Sequence, residues 1–168
     1  MILLTSKWFI GLVIIIMIIT LLIVFGRKSV HTEILIPAKP EQVWSVLTDT
    51  KNYDQWNKIL TPIDGELRVG ETVKYRFSQD ADNSYEISST VRAIIKNQLL
   101  NQGGGTTGIL TFDHRYQLQQ VDAGTKVVIH EDYRGIAVPF WNPAPVAVAY
   151  ERLNQALKER VLKVFHNE

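Results

Sequence analysis

Two residues in this chain combine chemical capability with a telling position, His114 and Glu131. Each falls on the inward side of a stretch in which apolar and polar residues alternate, residues 110–118 and 127–133. A buried ionisable group is costly unless it is paired or hydrogen-bonded, so their placement asks for an explanation. Two readings stand open. In one, the pair grips the polar head of a ligand or moves protons on it as acid and base. In the other it is a satisfied structural pair, or a rim position that water reaches.

Other reactive residue types are poorly arranged for chemistry. His31, His114, His130 and His166 show no His-x-x-x-His or comparable ligand spacing, and His114 and His130 fall on opposite sides of the alternation. Cysteine is absent, which removes disulfides, thiolate metal sites and cysteine nucleophiles. Gly103, Gly105 and Gly108 spell the G-x-G-x-x-G of a dinucleotide loop, but residues 109–118 read as strand where that motif needs a helix. The run is expected to form a glycine-rich hairpin, with a mobile loop at a cavity mouth as its functional alternative. Neither a Gly-x-Ser-x-Gly elbow nor a phosphate-binding lysine loop occurs. The sequence thus assigns no catalytic residue, no metal ligand and no cofactor.

A sheet and a helix must position the pair. Val73, Tyr75 and Phe77 alternate with Thr72, Lys74 and Arg76. Tyr85, Ile87, Ser89, Val91, Ala93 and Ile95 alternate with Glu86, Ser88, Thr90, Arg92 and Lys96. Leu110, Phe112, His114, Tyr116 and Leu118 share one face of a third stretch, and Val127, Ile129, Glu131 and Tyr133 one face of a fourth. Period-two patterns joined by short turns imply an antiparallel sheet with one face inward. Before them, residues 29–32 read as a linker and 33–36 as the first strand. A helix from Pro40 to about Asp49 follows, with Val43, Trp44 and Leu47 as its buried stripe, then a further turn at Tyr53–Trp56. Residues 145–165 carry Val146, Ala149, Tyr150, Leu153, Leu157, Val161 and Val164 at three- and four-residue steps, the pattern of one long amphipathic helix.

Residues 8–25 form an unbroken apolar run in which only Gly11 and Thr20 depart from strong hydrophobicity. At 1.5 Å per residue the run spans roughly 27 Å, about the thickness of a bilayer's hydrocarbon core. Lys7 and Trp8 flank one end, Arg27 and Lys28 the other, where interfacial aromatics and snorkelling cations belong. A cleaved signal peptide is the rival; it has a shorter apolar region and a small-x-small site, which residues 25–28 do not offer. Residues 1–28 are therefore expected to be a single-pass anchor and 29–168 one domain, leaning by the positive-inside tendency towards the cytoplasm. Of the 18 basic residues, three lie in the first 28, leaving 15 against 17 acidic and a net charge of −2. That balance is not the footprint of a nucleic-acid binder.

Residues 36–49, Ile-Pro-Ala-Lys-Pro-Glu-Gln-Val-Trp-Ser-Val-Leu-Thr-Asp, with Tyr53 and Trp56-Asn57 after them, resemble the opening of the SRPBCC superfamily (START / Bet v 1-like, polyketide cyclase/dehydrase). The later order is similar too: a long strand to Leu118, then Gly124 to Glu131, Tyr133-Arg134-Gly135 and the terminal helix. The resemblance covers nearly all of the chain beyond the apolar run. It implies an α+β helix-grip fold, in which a curved antiparallel sheet wraps the C-terminal helix and two short helices close one end. It also implies a cavity for an apolar ligand, and carries no shared catalytic residue.

The expected ligand contacts are Tyr75, Phe77, Ser89, Phe112, His114, Tyr116, Ile129, Glu131, Tyr133, Tyr150, Leu153 and Leu157. The aromatics among them serve equally as core. Phe140 and Trp141 precede Pro143 and Pro145 and fit a membrane interface, a pocket entrance or plain packing. Three functions follow: membrane-anchored binding of a hydrophobic small molecule or lipid, a cyclase or dehydratase using His114 and Glu131, or an interaction module with a filled core. Protein partners are not indicated.

Overall fold

A computed structural model describes residues 7–165. The flank before Lys7 and His166 lie outside the described residues. Helix α1 (Lys7–Phe25) is apolar beyond Lys7 except at Thr20 and buries none of its side chains. It is long and apolar enough to cross a membrane. Strand β1 (Arg27–Ile36) starts one residue later, at the far side of Gly26. After it come α2 (Pro40–Thr48), a 3-10 turn (Thr50–Gln55), and strands β2 (Leu60–Asp64), β3 (Thr72–Ser78) and β4 (Ser84–Ile95). Strands β5 (Leu99–Thr106), β6 (Leu110–Val121) and β7 (Gly124–Arg134), a 3-10 turn (Val138–Phe140) and α3 (Ala144–Phe165) complete the chain.

All seven strands join one antiparallel sheet in the order β1-β7-β6-β5-β4-β3-β2. Every neighbour except β1–β7 is consecutive in sequence, so short turns build most of the sheet and one long return places β1 beside β7. The inward residues follow the alternation: Val73, Tyr75 and Phe77 on β3, His114, Tyr116 and Leu118 on β6, and Val127, Ile129, Glu131 and Tyr133 on β7 are all buried. Helix α3 lies against this face, chiefly over β1 and α2, and buries Val146, Ala149, Tyr150, Leu153, Leu157 and Val161. This is the helix-grip, Bet v 1-like architecture. Pro40 opens α2, and the Lys39 amide donates to Gln42 Oε1 at 2.9 Å in place of a hydroxyl cap. Tyr53 anchors the following turn by donating its hydroxyl to the Leu47 carbonyl. Asn57 then takes the Ile59 and Leu60 amides on Oδ1, which aims the chain into β2.

Three local expectations need correction. Residues 29–32 are not a linker: β1 pairs with β7 from Arg27↔Arg134 to Ile36↔Thr125, and Val30 and Thr32 are buried. Polar residues alternating with those two concealed the strand. The glycine-rich run does form a hairpin, with Gly103 to Gly105 in β5 and Gly108 in the turn to β6 at residues 107–109. In β4 a register shift between Val91 and Ala93 switches the inward side, so Ile94 packs on the core and Ile95 is exposed. On α3, Val164 is exposed because the sheet no longer covers the last turn, while Asn154 is buried and donates to Thr32 Oγ1 at 3.1 Å.

Candidate functional site

The sheet and α3 close tightly at one end only. Around Leu47, Ile129, Leu153 and Leu157 the two layers interlock with essentially no exposed surface. At the other end they diverge around a pocket of about 770 Å³. Its walls are Phe77 from β3, Tyr85 and Ile87 from β4, Gly105 from β5, Leu110 and Phe112 from β6, Glu131 and Tyr133 from β7, Trp141, and Val146 and Tyr150 from α3. Gln79 and Asn83, on the β3–β4 turn, form part of the lining. Asp80 braces this turn by accepting the Asp82 and Asn83 amides at 3.0 and 2.9 Å. The Asn83 side chain and those amides hold the Asp80 carboxyl below its usual range. Arg152 of α3 donates to the Gln79 carbonyl, so the turn is tied to the helix across the opening.

Polar groups gather where the pocket meets the sheet. His114 and Glu131 are register partners on β6 and β7, and His114 Nδ1 lies 2.9 Å from Glu131 Oε2. Tyr150 donates its hydroxyl to the same oxygen. Both side chains of the pair are about 5% exposed, so this is a buried cluster and not a rim position. Burial first, then the Glu131 charge, pushes the Tyr150 phenol well up; the same two causes in the same order push up Tyr133. Both phenols therefore keep their protons beside Glu131. The Trp141 ring leans on Tyr133 at 4.5 Å between centroids and fixes that wall.

A second, much smaller chamber of about 10 Å³ adjoins the first and shares Ile87, Phe112, Glu131 and Tyr150 with it. Tyr75, Ser89, Gln102 and His114 help to line it. Gln102 lies opposite His114 in the β5–β6 register and donates from Nε2 to the Tyr75 hydroxyl at 3.1 Å. Gly104, the next inward residue of β5, leaves the space that Phe112 occupies, because a Cβ there would press on that ring and overlap the Ser88 carbonyl.

The twelve expected contacts thus divide by depth. Phe77, Phe112, Glu131, Tyr133 and Tyr150 line the large pocket, while Tyr75, Ser89 and His114 line only the small chamber. Tyr116, Ile129, Leu153 and Leu157 line neither and are packed in the closed end of the core. Sequence reasoning did not count Tyr85, Ile87, Gly105, Leu110, Val146 or Gln102 among the contacts, and left Trp141 undecided. Leu110 and Val146 were visible in the periodic patterns; Gln102 was hidden because β5 was not recognised as a strand. Among the described residues, no group of three or more His, Asp or Glu is placed to hold a metal ion.

Comparison with known proteins accords with this geometry. The chain adopts the fold of TTHA0849 from Thermus thermophilus (TM-score 0.67, 18% identity, 82% of this chain and 99% of that one). It is similar in the same way to CV1439 from Chromobacterium violaceum (TM-score 0.66, 12% identity, 80% and 97%). Ara h 8.0201 is a further likeness (TM-score 0.62, 14% identity, 82% and 99%). No curated protein matches the chain in sequence. The sequence model of one family matches residues 27–162, from the first residue of β1 into the last turns of α3. The chain belongs to that family, the polyketide cyclase / dehydrase and lipid transport family of the SRPBCC superfamily.

Proposed function

We propose that this chain is a membrane-tethered binding protein that takes a hydrophobic small molecule or lipid into the pocket between the sheet and α3. The observation that carries the reading is the pocket itself. A space of about 770 Å³ walled by Phe77, Ile87, Leu110, Phe112, Trp141 and Val146 has the size and lining of a small-molecule site. Burial of apolar ligand surface at roughly 25 cal/mol per Å² supplies the affinity, and the Glu131 cluster fixes orientation. The family's lipid-transport members give the reading a precedent.

Helix α1 serves as the tether, and the domain that follows it does the binding. The join supports this arrangement: β1 begins directly after Gly26, and Lys28 Nζ donates to the Pro139 carbonyl at 3.2 Å and to that of Trp141, a pocket wall. The pocket's Trp141 side therefore lies near the anchored end, close to a reservoir of lipophilic ligand. Arg27 and Lys28 against Lys7 lean the domain towards the cytoplasm. Native mass spectrometry of the full chain, released from nanodiscs after incubation with mixed lipid extract, tests the proposal. A discrete adduct that Ile87→Trp abolishes supports it. A protein that stays bare sinks it in favour of an interaction module.

A further inference from the structure

The small chamber behind the pocket has its own chemistry. Ser89 Oγ and His114 Nε2 are buried there or at its wall without a hydrogen-bond partner in the protein. Both residues are more than nine-tenths buried, at 3% and 4% exposure. Leaving a buried polar atom unpartnered is costly, so two of them around one space mark a place built for a polar guest. Ten cubic ångströms admits about one oxygen-sized group.

The directions of the available hydrogen bonds narrow that guest. With His114 Nδ1 engaged by Glu131 Oε2, Nε2 is the ring nitrogen left for a guest, and a group that can both donate and accept meets it in either role. Tyr75 accepts from Gln102, which leaves its own hydroxyl proton free to donate, and burial keeps that phenol protonated. Ser89 can do either. A hydroxyl both donates and accepts, so it can meet Tyr75, Ser89 and His114 Nε2 together. A ketone oxygen can only accept and lacks that adaptability. A carboxylate brings two oxygens and a charge to walls that hold Glu131 and, among the described residues, no Lys or Arg in either chamber.

We propose that Tyr75, Ser89 and His114 form a single-hydroxyl subsite, and that the ligand is an uncharged apolar alcohol seated with its hydroxyl in the small chamber and its hydrocarbon in the large pocket. This rests on the binding function proposed above. Native mass spectrometry of the full chain in nanodiscs, titrated with dodecan-1-ol, 1-chlorododecane and dodecanoate, tests it. Dodecan-1-ol should bind at least tenfold tighter than dodecanoate. Ser89→Ala should weaken dodecan-1-ol about three- to tenfold and leave 1-chlorododecane unchanged. Ser89→Val, which adds methyl groups to the chamber, should erase the preference for the alcohol. Equal binding of all three probes, indifferent to both variants, overturns the subsite while leaving the pocket's function intact. Binding of none of them overturns the pocket's function and the subsite with it.

Discussion

Gly26 and Gly135 meet backbone to backbone where the apolar helix gives way to the sheet: the Gly135 amide donates to the Gly26 carbonyl at 2.9 Å. A Cβ on Gly26 would overlap the Gly135 carbonyl oxygen, and a Cβ on Gly135 would overlap that of Ile109. Gly135 also holds φ +141°, which a side chain resists. Here the apolar helix α1, the first strand and the segment carrying Trp141 are fastened in one place, with no flexible spacer. Close approach, not turn chemistry, is why glycine stands at both positions.

Gly135→Val should therefore destabilise the domain by about 1–3 kcal/mol, from strain plus the displaced Ile109 carbonyl. Gly70→Ala is the control, since Gly70 has a similarly left-handed φ of +89° but open space around its Cβ direction. Urea midpoints for the two variants separate the effects. Equal losses would show that strain alone matters and that the junction is loosely packed.

The next prediction concerns Phe140, whose side of the domain is tied to Lys28 three residues after α1. Its ring is 81% exposed, unusual for a phenylalanine in a domain with so complete a core. In a tethered protein the ring dips into the lipid interface, where burial is worth about 1.5–3 kcal/mol. Phe140→Asp should slow transfer of a hydrophobic probe from vesicles several-fold and leave the thermal midpoint in place. An unchanged transfer rate would detach this turn from the membrane.

How far the sequence foretold this site depends on what each pattern encodes. Period-two alternation reports which face a residue takes, so His114, Glu131 and the inner aromatics were legible from their neighbours alone. It carries no information about position along the sheet–helix axis. Tyr116 and Ile129 share a face with Phe112 and Glu131, yet the former pair lies where α3 is pressed close and the latter where it diverges. Alternation also fails where the backbone breaks step. The bulge at Val91–Ala93 moved Ile94 inward, and three successive glycines erased the pattern of β5, hiding Gln102. The fold survived these gaps because the order of elements, not any one strand, carries it.

Glu131 should be the most sensitive polar residue in the core. Glu131→Leu leaves His114 Nδ1 and the Tyr150 hydroxyl buried without an acceptor, a loss of about 3 kcal/mol or more. Tyr150→Phe alone removes one donor and should cost about 1–2 kcal/mol. Because all three share one oxygen, the double variant should lose less than the two single losses combined. Strict additivity in urea unfolding would show that the cluster is not a unit.

The last prediction is an alkaline limit set by the tyrosines. Burial pushes up the phenols of Tyr53, Tyr75, Tyr116, Tyr133 and Tyr150, while Tyr85, half-buried at the pocket, is raised less. In the unfolded chain each ionises near pH 10. Below that value both states keep the proton and the groups do not affect the balance. Above it the unfolded chain loses protons that the folded one retains, so stability falls as pH rises, by up to about 1.4 kcal/mol per pH unit for each buried tyrosine. Five such groups predict a steep loss of stability between pH 10 and 12. Tyrosinate absorbance at constant ionic strength should then rise in one cooperative step together with loss of the sheet's circular dichroism. Gradual ionisation near pH 10 with the fold intact would mean that these phenols reach water, and that the layers around Tyr75 and Tyr150 are looser than their burial implies.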